Sequence, residues 1–275
     1  KQTPFKFFFG APSCVPATIF ETAGDEVTVA DIEKLMQREE VLYLAEMMNY
    51  PGVIFDDELV HQKIKAAHKL GKPVDGHAPG LRGEQLRKYF AAGISTDHEC
   101  FTLDEAEEKL ALGMHVLIRE GSAARNFDAL IPAIKSHPKQ IMFCSDDKHP
   151  DNLIEGHINQ LVNRALESGF DLFDVLSASS LNVIQHYRLP VGYLQPGHSA
   201  DFIIADSLKH IQPKATYIKG ECVSRDGKTL IKSIATSSPN NFNCAPKSIS
   251  DFEVKAEPGK LRVIVANEGQ LITHT

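Results

Sequence analysis

Apolar and polar residues follow two rhythms along the first two-thirds of the chain, short apolar runs of strand length and longer stretches with helical spacing. The run KFFFGAPS at 6–13 predicts a strand. Thr28 with Asp31 marks a helix start by an N-cap pattern, and the charged stretch 31–40 leads into a second strand, VLYLAEM at 41–47. Over 57–70 the apolar residues Leu59, Ile64, Ala67 and Leu70 recur at helical spacing, and Gly71 stops that helix before Pro73-Val74-Asp75-Gly76-His77. The same unit repeats twice: a helix over 84–92 ended by Gly93 before a strand at 94–98, and a helix over 103–112 ended by Gly113 before MHVLIREG at 114–121. A helix over 127–136 precedes the strand QIMFCSDD at 140–147, and two further helices are predicted over 152–168 and 171–186. This alternation implies a parallel sheet with helices outside and functional residues at the carboxyl ends of the strands.

The pattern changes after Leu189, where VGYLQPGHSADFIIAD, ATYIKGECV and later LRVIVANEGQLITH are β-rich runs separated by Gly and other turn formers. A division into a barrel-type part, 1–190, and a β-rich sandwich part, 191–275, is therefore expected, with 234–250 as an irregular loop. At 275 residues, 43% hydrophobic and 24% charged, the chain has globular values and can bury a sizeable core. The formal charge of -7, with no run of Lys and Arg, argues against nucleic acid as a partner, so a small molecule is expected. No apolar stretch reaches the roughly 18 residues of a membrane span, which points to a cytoplasmic protein without a membrane partner. Five cysteines, 14, 100, 144, 222 and 244, without a CxxC pair read as reduced thiols.

Four short segments carry the chemistry: Glu46 in AEMMNYPG, His77 in DGHAPG, His98 in STDHEC and Asp146 in FCSDDKHP. Each sets a metal-capable side chain at the end of an apolar run, so the four can converge at one rim of a parallel barrel. Plainer roles exist for each. A histidine at a strand end is commonly a hydrogen-bonded structural residue, Asp146-Asp147 suits a helix N-cap before 152, and Met47-Met48 suits core filling. His61, His68, His137, His157 and His186 are expected on helix faces and His149 in a loop, and Ser13-Cys14 has no paired base that would make a nucleophile.

Taken in order, APSCVPAT (11–18), LAEMMNYPGV (44–53), DGHAP (75–79), DHE (97–99), IREGSA (118–123) and CSDDKHP (144–150) resemble the bacterial-type adenine deaminases within the amidohydrolase superfamily. The resemblance runs from about 6 to 223, and PGHSADFII looks like the return from barrel to sandwich. It implies a (β/α)8 TIM-type metal-dependent hydrolase barrel holding one or two divalent ions, Mn or Fe with Zn also suitable, and hydrolysis of adenine to hypoxanthine and ammonia. It makes Glu46 a bridging carboxylate, His77 and His98 the histidines after the fifth and sixth strands, and Asp146 the acid after the eighth. Such barrels open with an HxH pair, and this chain contains none, so the first two strands and part of the sandwich are expected to lie outside it. A six-stranded remnant exposes two edges, and a homo-oligomer is one way to cover them.

The residue types suit that reaction. Adenine C6 is a poor electrophile, and a metal that lowers the pKa of bound water to about 7 supplies the nucleophile. Asp146 suits metal binding and transfer of the water proton to the departing amine. Glu99 and Glu120 are candidates for protonating a ring nitrogen, and Arg119 and Ser122 for orienting the purine. Two alternatives stay open: an amidohydrolase acting on another amino-heterocycle or cyclic amide, and an inactive fragment lacking the HxH strand.

Overall fold

The computed structural model describes residues 3–18, 21–235, 237, 241, 243–268 and 273–275. Six strands, β1 (Phe9–Pro12), β2 (Val41–Met47), β3 (Val74–Gly76), β4 (Thr96–Asp97), β5 (His115–Arg119) and β6 (Ile141–Cys144), pair in parallel in the order of the chain. They form two three-stranded sheets, β1-β2-β3 and β4-β5-β6, joined through a parallel bridge between Val74 and Ile94 and a Ser95 N–H to Val74 carbonyl bond of 3.0 Å. Parallel strands need crossovers, and helices supply them.

These are α1 (Val29–Met36), α2 (Tyr50–Ile54), α3 (Glu58–Lys69), α4 (Gly83–Ala91), α5 (Leu103–Ala111) and α6 (Phe127–Leu130). After β6 come α7 (Pro150–Glu155), α8 (Ile158–Glu167), α9 (Leu172–Leu176) and α10 (Asn182–Tyr187). Thr28 closes a capping box with Asp31, and the Asp57 carboxylate accepts from the Leu59 and Val60 N–H groups, so the predicted starts of α1 and α3 are made by their caps. Gly71, Gly93 and Gly113 follow α3, α4 and α5 at φ 66°, 87° and 98°, the left-handed turn that lets each helix hand over to a strand within a few residues. The apolar faces bury in two clusters. Ile32, Leu44, Met47, Ile64, Leu86 and Tyr89 pack behind β1–β3, and Val116, Ile118, Leu130, Ile141 and Leu161 pack behind β4–β6.

Several helices differ from the sequence pattern. The α2 turn was not expected; Asn49 caps it by accepting from Gly52 N–H, and Pro51 sits in its first turn, where its missing N–H costs nothing. The helix expected over 127–136 tightens to a 3-10 turn at Ile131–Lys135, where Pro132 donates no hydrogen bond. The one expected over 152–168 breaks at Gly156-His157 into α7 and α8, so His157 sits at a junction, and His137 likewise follows a 3-10 turn. The run 171–186 carries a π-helical turn at Ser177–Leu181, with the Ser179 and Ser180 hydroxyls donating to Leu176 carbonyl. Asp146 and Asp147 cap nothing, since His149 is the residue before α7.

Beyond 190, β7 (Phe202–Ala205), β8 (Pro213–Ile218), β9 (Glu221–Arg225) and β10 (Lys228–Thr229) form an antiparallel meander. Val265–Ala266 pairs with Thr273–His274. Residues 236, 238–240 and 242 of the expected loop and 269–272 of the last β-rich run lie outside the described residues. All five cysteines are free, and no helix among the described residues is long and apolar enough to cross a membrane.

Candidate active site

Glu46 reaches the site because β2 carries one extra residue. Leu44 opposes Val74 and Met47 opposes Gly76, so three steps on β2 match two on β3. Leu44, Met47 and Val74 bury in the same cluster against the helices. The opposite face therefore receives Tyr43 and Glu46 together with Asp75 and His77.

His77 and His98 follow the ends of β3 and β4 directly. Their strands approach so closely that a Cβ on Gly76 would lie 2.2 Å from Thr96 carbonyl oxygen, and only glycine fits there. The buried Tyr89 hydroxyl accepts from His77 N–H at 3.0 Å and donates to Met47 carbonyl at 3.0 Å, which ties the backbone beside His77 to the backbone beside Glu46.

The result is a tight cluster. His77 Nδ1 lies 3.0 Å and His98 Nε2 3.2 Å from the same Glu46 oxygen, Oε2. Glu99 Oε1 stands 3.6 Å from His77 Nδ1 and 3.5 Å from His98 Nε2. The ligand atoms of Glu46, His77 and His98 all fall within 4.8 Å of one another. Hydrogen bonds from His77 and His98 hold the Glu46 carboxyl well below its usual range. Burial opposes the charge on His98, yet the Glu46 hydrogen bond and the Asp97 and Glu99 charges raise its pKa on balance. Two imidazole nitrogens and a carboxylate oxygen at this spacing suit a divalent first-row cation, so the donor set fits the ion that the fold leads one to expect.

The other expected site residues divide. Asp146, in the left-handed region at φ 48°, is not in the cluster but joins it through Arg119, whose Nη1 is 3.0 Å from Asp146 Oδ2. Arg119 also grips Glu99 with both terminal nitrogens, Nη2 to Oε2 at 3.0 Å and Nη1 to Oε1. It is fully buried, and its Nε has no partner among the described residues. Arg119 therefore braces two carboxylates, and Glu99 has both oxygens committed to it.

Glu120 and Ser122 turn elsewhere. Side chains alternate along a strand, so with Arg119 facing the site Glu120 faces away, accepting from Phe127 N–H and pairing with Arg164 at 2.9 Å. The Ser122 hydroxyl donates to Asn152 and accepts from His149 N–H, joining its loop to the first turn of α7. His61, His68 and His186 keep company away from the cluster, with Val53 carbonyl, Gly93 carbonyl and the Ser95 hydroxyl.

Sequence reasoning missed the residues beneath the ligands. Asp75 is buried one layer below His77, where its carboxylate accepts from Thr96 Oγ1 and the Tyr187 hydroxyl; burial pushes its pKa up to about 6 against those two bonds. Tyr187 is 112 positions away, so no local pattern signals the pair. Lys109 was legible in part, because a lysine inside the apolar stripe Ala106, Lys109, Leu110 of α5 is an anomaly for an amphipathic helix.

Parallel strands with a cation-capable cluster at their carboxyl ends define a class of α/β proteins that use metals at the strand rim. Comparison with known proteins narrows it. The amidohydrolase family profile matches residues 1–230. The chain belongs to the amidohydrolase family. It is 51% identical over 273 residues to a protein of Salinibacter ruber named adenine deaminase, covering 99% of this chain and 50% of that protein. Adenine deaminases of Parabacteroides distasonis (50% over 273 residues, 99% and 50% covered) and Methanosarcina mazei (47% over 286 residues, 99% and 52% covered) are similar to it. The chain thus spans about half the length of the curated relatives it matches.

Among solved structures, a β-aspartyl dipeptidase of Fervidobacterium islandicum AW-1 superposes with a TM-score of 0.60 at 17% identity, covering 84% of this chain and 66% of that one. An enamidase described as a member of the amidohydrolase superfamily superposes with a TM-score of 0.56 at 16% identity, covering 75% and 62%. At these identities the likeness is one of fold.

Proposed function

We propose that this chain provides Glu46, His77, His98 and Asp146 to the metal site of a hydrolase that converts adenine to hypoxanthine and ammonia. The observation that carries the reading is the convergence of His77 Nδ1 and His98 Nε2 on one Glu46 oxygen, in a chain about half identical to proteins named adenine deaminase. In this reading β1–β6 are six strands of a (β/α)8 barrel, residues 1–190, and 191–275 form part of a β-sandwich. Glu46, His77 and His98 hold the cation, Mn or Fe with Zn compatible with the donors, as one or two ions, and Asp146 completes the set. The bound cation supplies Lewis acidity that brings the pKa of water to about 7.

The chain's own groups do the rest. Asp146 Oδ1, the oxygen that Arg119 does not engage, takes the proton of the attacking water and returns it to the departing amine. Arg119 and Glu99 hold that carboxylate and the histidines in register. The substrate is a free purine base, handled by a cytoplasmic homo-oligomer.

Metal content and ammonia release test the proposal. The reconstituted chain is expected to retain on the order of one equivalent of Mn, Fe or Zn, and Glu46→Gln to retain less than a tenth of that. Ammonia should appear from adenine and not from guanine, cytosine or dihydroorotate. A wild-type chain that holds no metal, or one that opens dihydroorotate and ignores adenine, refutes it.

A further inference from the structure

Outside the ligand cluster, the most unusual feature of the molecule is a fully buried lysine. Lys109 sits on the inner face of α5 with no solvent exposure, and its ammonium meets three oxygens, two of them by hydrogen bonds and the third as an ion pair. Its Nζ lies 2.8 Å from Glu105 Oε1, 3.2 Å from Asp97 Oδ1 and 2.9 Å from Ala78 carbonyl oxygen. Asp97 and Glu105 are buried as well. One ammonium between two carboxylates gives the cluster a net charge of −1 inside the fold.

Desolvating such a group is expensive, and apolar residues of equal volume commonly stabilise a fold as well or better. What distinguishes this cluster is where its remaining bonds go. Asp97 Oδ2 accepts from Ala78 N–H at 2.9 Å and Asp97 Oδ1 from Glu99 N–H at 2.7 Å. Glu105 Oε1 accepts from Gly80 N–H at 2.9 Å and Glu105 Oε2 from Phe101 N–H at 3.2 Å. With the Lys109 bond to Ala78 carbonyl, five backbone groups are held. Ala78 and Gly80 belong to the loop that follows His77, and Glu99 and Phe101 to the loop that follows His98. One turn further along α5, Glu108 accepts from Gly83 N–H at 2.6 Å and extends the grip to the end of the first loop.

We infer that Lys109, Asp97 and Glu105 form a buried clamp that locks the His77 loop to the His98 loop and so presets the spacing of the two imidazoles for a cation. The inference rests on the metal-site reading above. Lys109 is a positioning residue: it touches neither histidine ring, and it acts through the backbone on either side of them. Without the ammonium, Asp97 and Glu105 repel each other, and the two loops lose the bonds that couple them.

Cobalt(II) titration of the untagged 275-residue chain, followed by its visible ligand-field bands, reads the clamp without any turnover. Wild type, Lys109→Met, Glu105→Gln and Leu110→Ala are compared, with urea unfolding of each. Leu110→Ala destabilises the same helix without removing any clamp bond, so it reports what loss of stability alone does to the bands. The expected result is a loss of cobalt affinity of about tenfold in Lys109→Met, a smaller loss in Glu105→Gln, altered bands at saturation in both, and wild-type affinity and bands in folded Leu110→Ala. If Lys109→Met does not fold, Glu105→Gln decides, because it keeps the side-chain length and an oxygen acceptor while removing the charge. Wild-type affinity and bands in the folded clamp variants overturn the clamp and leave the metal site standing. Absence of cobalt bands in the wild type overturns the metal site itself.

Discussion

Gly76→Ala should be among the most damaging small substitutions in this chain, and its cost can be worked from the contacts. An ideal Cβ there stands 2.2 Å from Thr96 carbonyl oxygen, 3.0 Å from Ile94 Cγ2 and 3.2 Å from Tyr89 Cε1. A tolerable carbon–oxygen contact is about 3.3 Å, so β3 and β4 must part by roughly 1 Å. Among the bonds that join the two sheets here, two backbone N–H groups lie closest to the clash, Ser95 N–H to Val74 carbonyl at 3.0 Å and Gly76 N–H to Thr96 Oγ1 at 3.2 Å. Both exceed hydrogen-bonding distance after such a shift, at about 1 kcal/mol each, and the overpacking adds about 1–3 kcal/mol. A loss of about 3–5 kcal/mol in urea unfolding near neutral pH is expected. Gly80→Ala is the control, since Gly80 has φ 69° with open space around its Cβ position, and only the left-handed backbone penalises alanine there, by about 1–2 kcal/mol. If Gly76→Ala costs no more than Gly80→Ala, the close approach of β3 and β4 is not what fixes His77, and the reasoning fails.

Two other perturbations have a definite sign. Arg119→Met leaves the buried Glu99 carboxylate without its partner, and a loss of about 3–5 kcal/mol is expected; adding Glu99→Gln should recover more than about 1 kcal/mol of it, and strict additivity of the two in urea unfolding would show that the pair does not interact. His186 is held down to about 4 by burial and by the neighbouring His115 and Arg188, against an ordinary value of about 6.5. Its neutral ring therefore contributes stability that is present above about pH 6.5 and lost as pH falls through about 4, at most about 3 kcal/mol and less where solvent reaches the ring. His186→Gln should remove that part of the acid sensitivity in paired urea titrations, and an unchanged pH slope would refute it.

The strand rhythm and the helix stops were legible because they rest on local chemistry. Thr28, Asp57 and the glycines at 71, 93 and 113 act within a turn of their own position, and VLYLAEM occupies β2 over its full predicted length. The grouping of Glu46, His77 and His98 was legible for a related reason: a parallel α/β order sends successive strand ends to the same rim. Roles that depend on tertiary contact were not. Arg119 and Ser122 have the composition of substrate binders, and only their partners, Glu99 with Asp146 and Asn152 with His149 N–H, show that both are already engaged.

Parity decides the rest, and β2 shows how little the sequence reveals of it. In an unbroken strand Leu44 and Glu46 share a face, because side chains repeat every second residue. Leu44 is buried against the helices beside Val74, so an unbroken β2 would drive the Glu46 carboxylate into that apolar layer and away from His77. The extra residue between Leu44 and Met47 reverses the parity. It brings Glu46 against both histidines, while Met47 returns to the core and Tyr43, which precedes the bulge, packs on Tyr187 from the same face as Glu46. VLYLAEM reads equally well with or without the bulge, since each of its faces carries apolar residues in either register. The carboxylate at the end of β2 is thus placed by a backbone irregularity in its pairing with β3, and no pattern within the segment could have announced it.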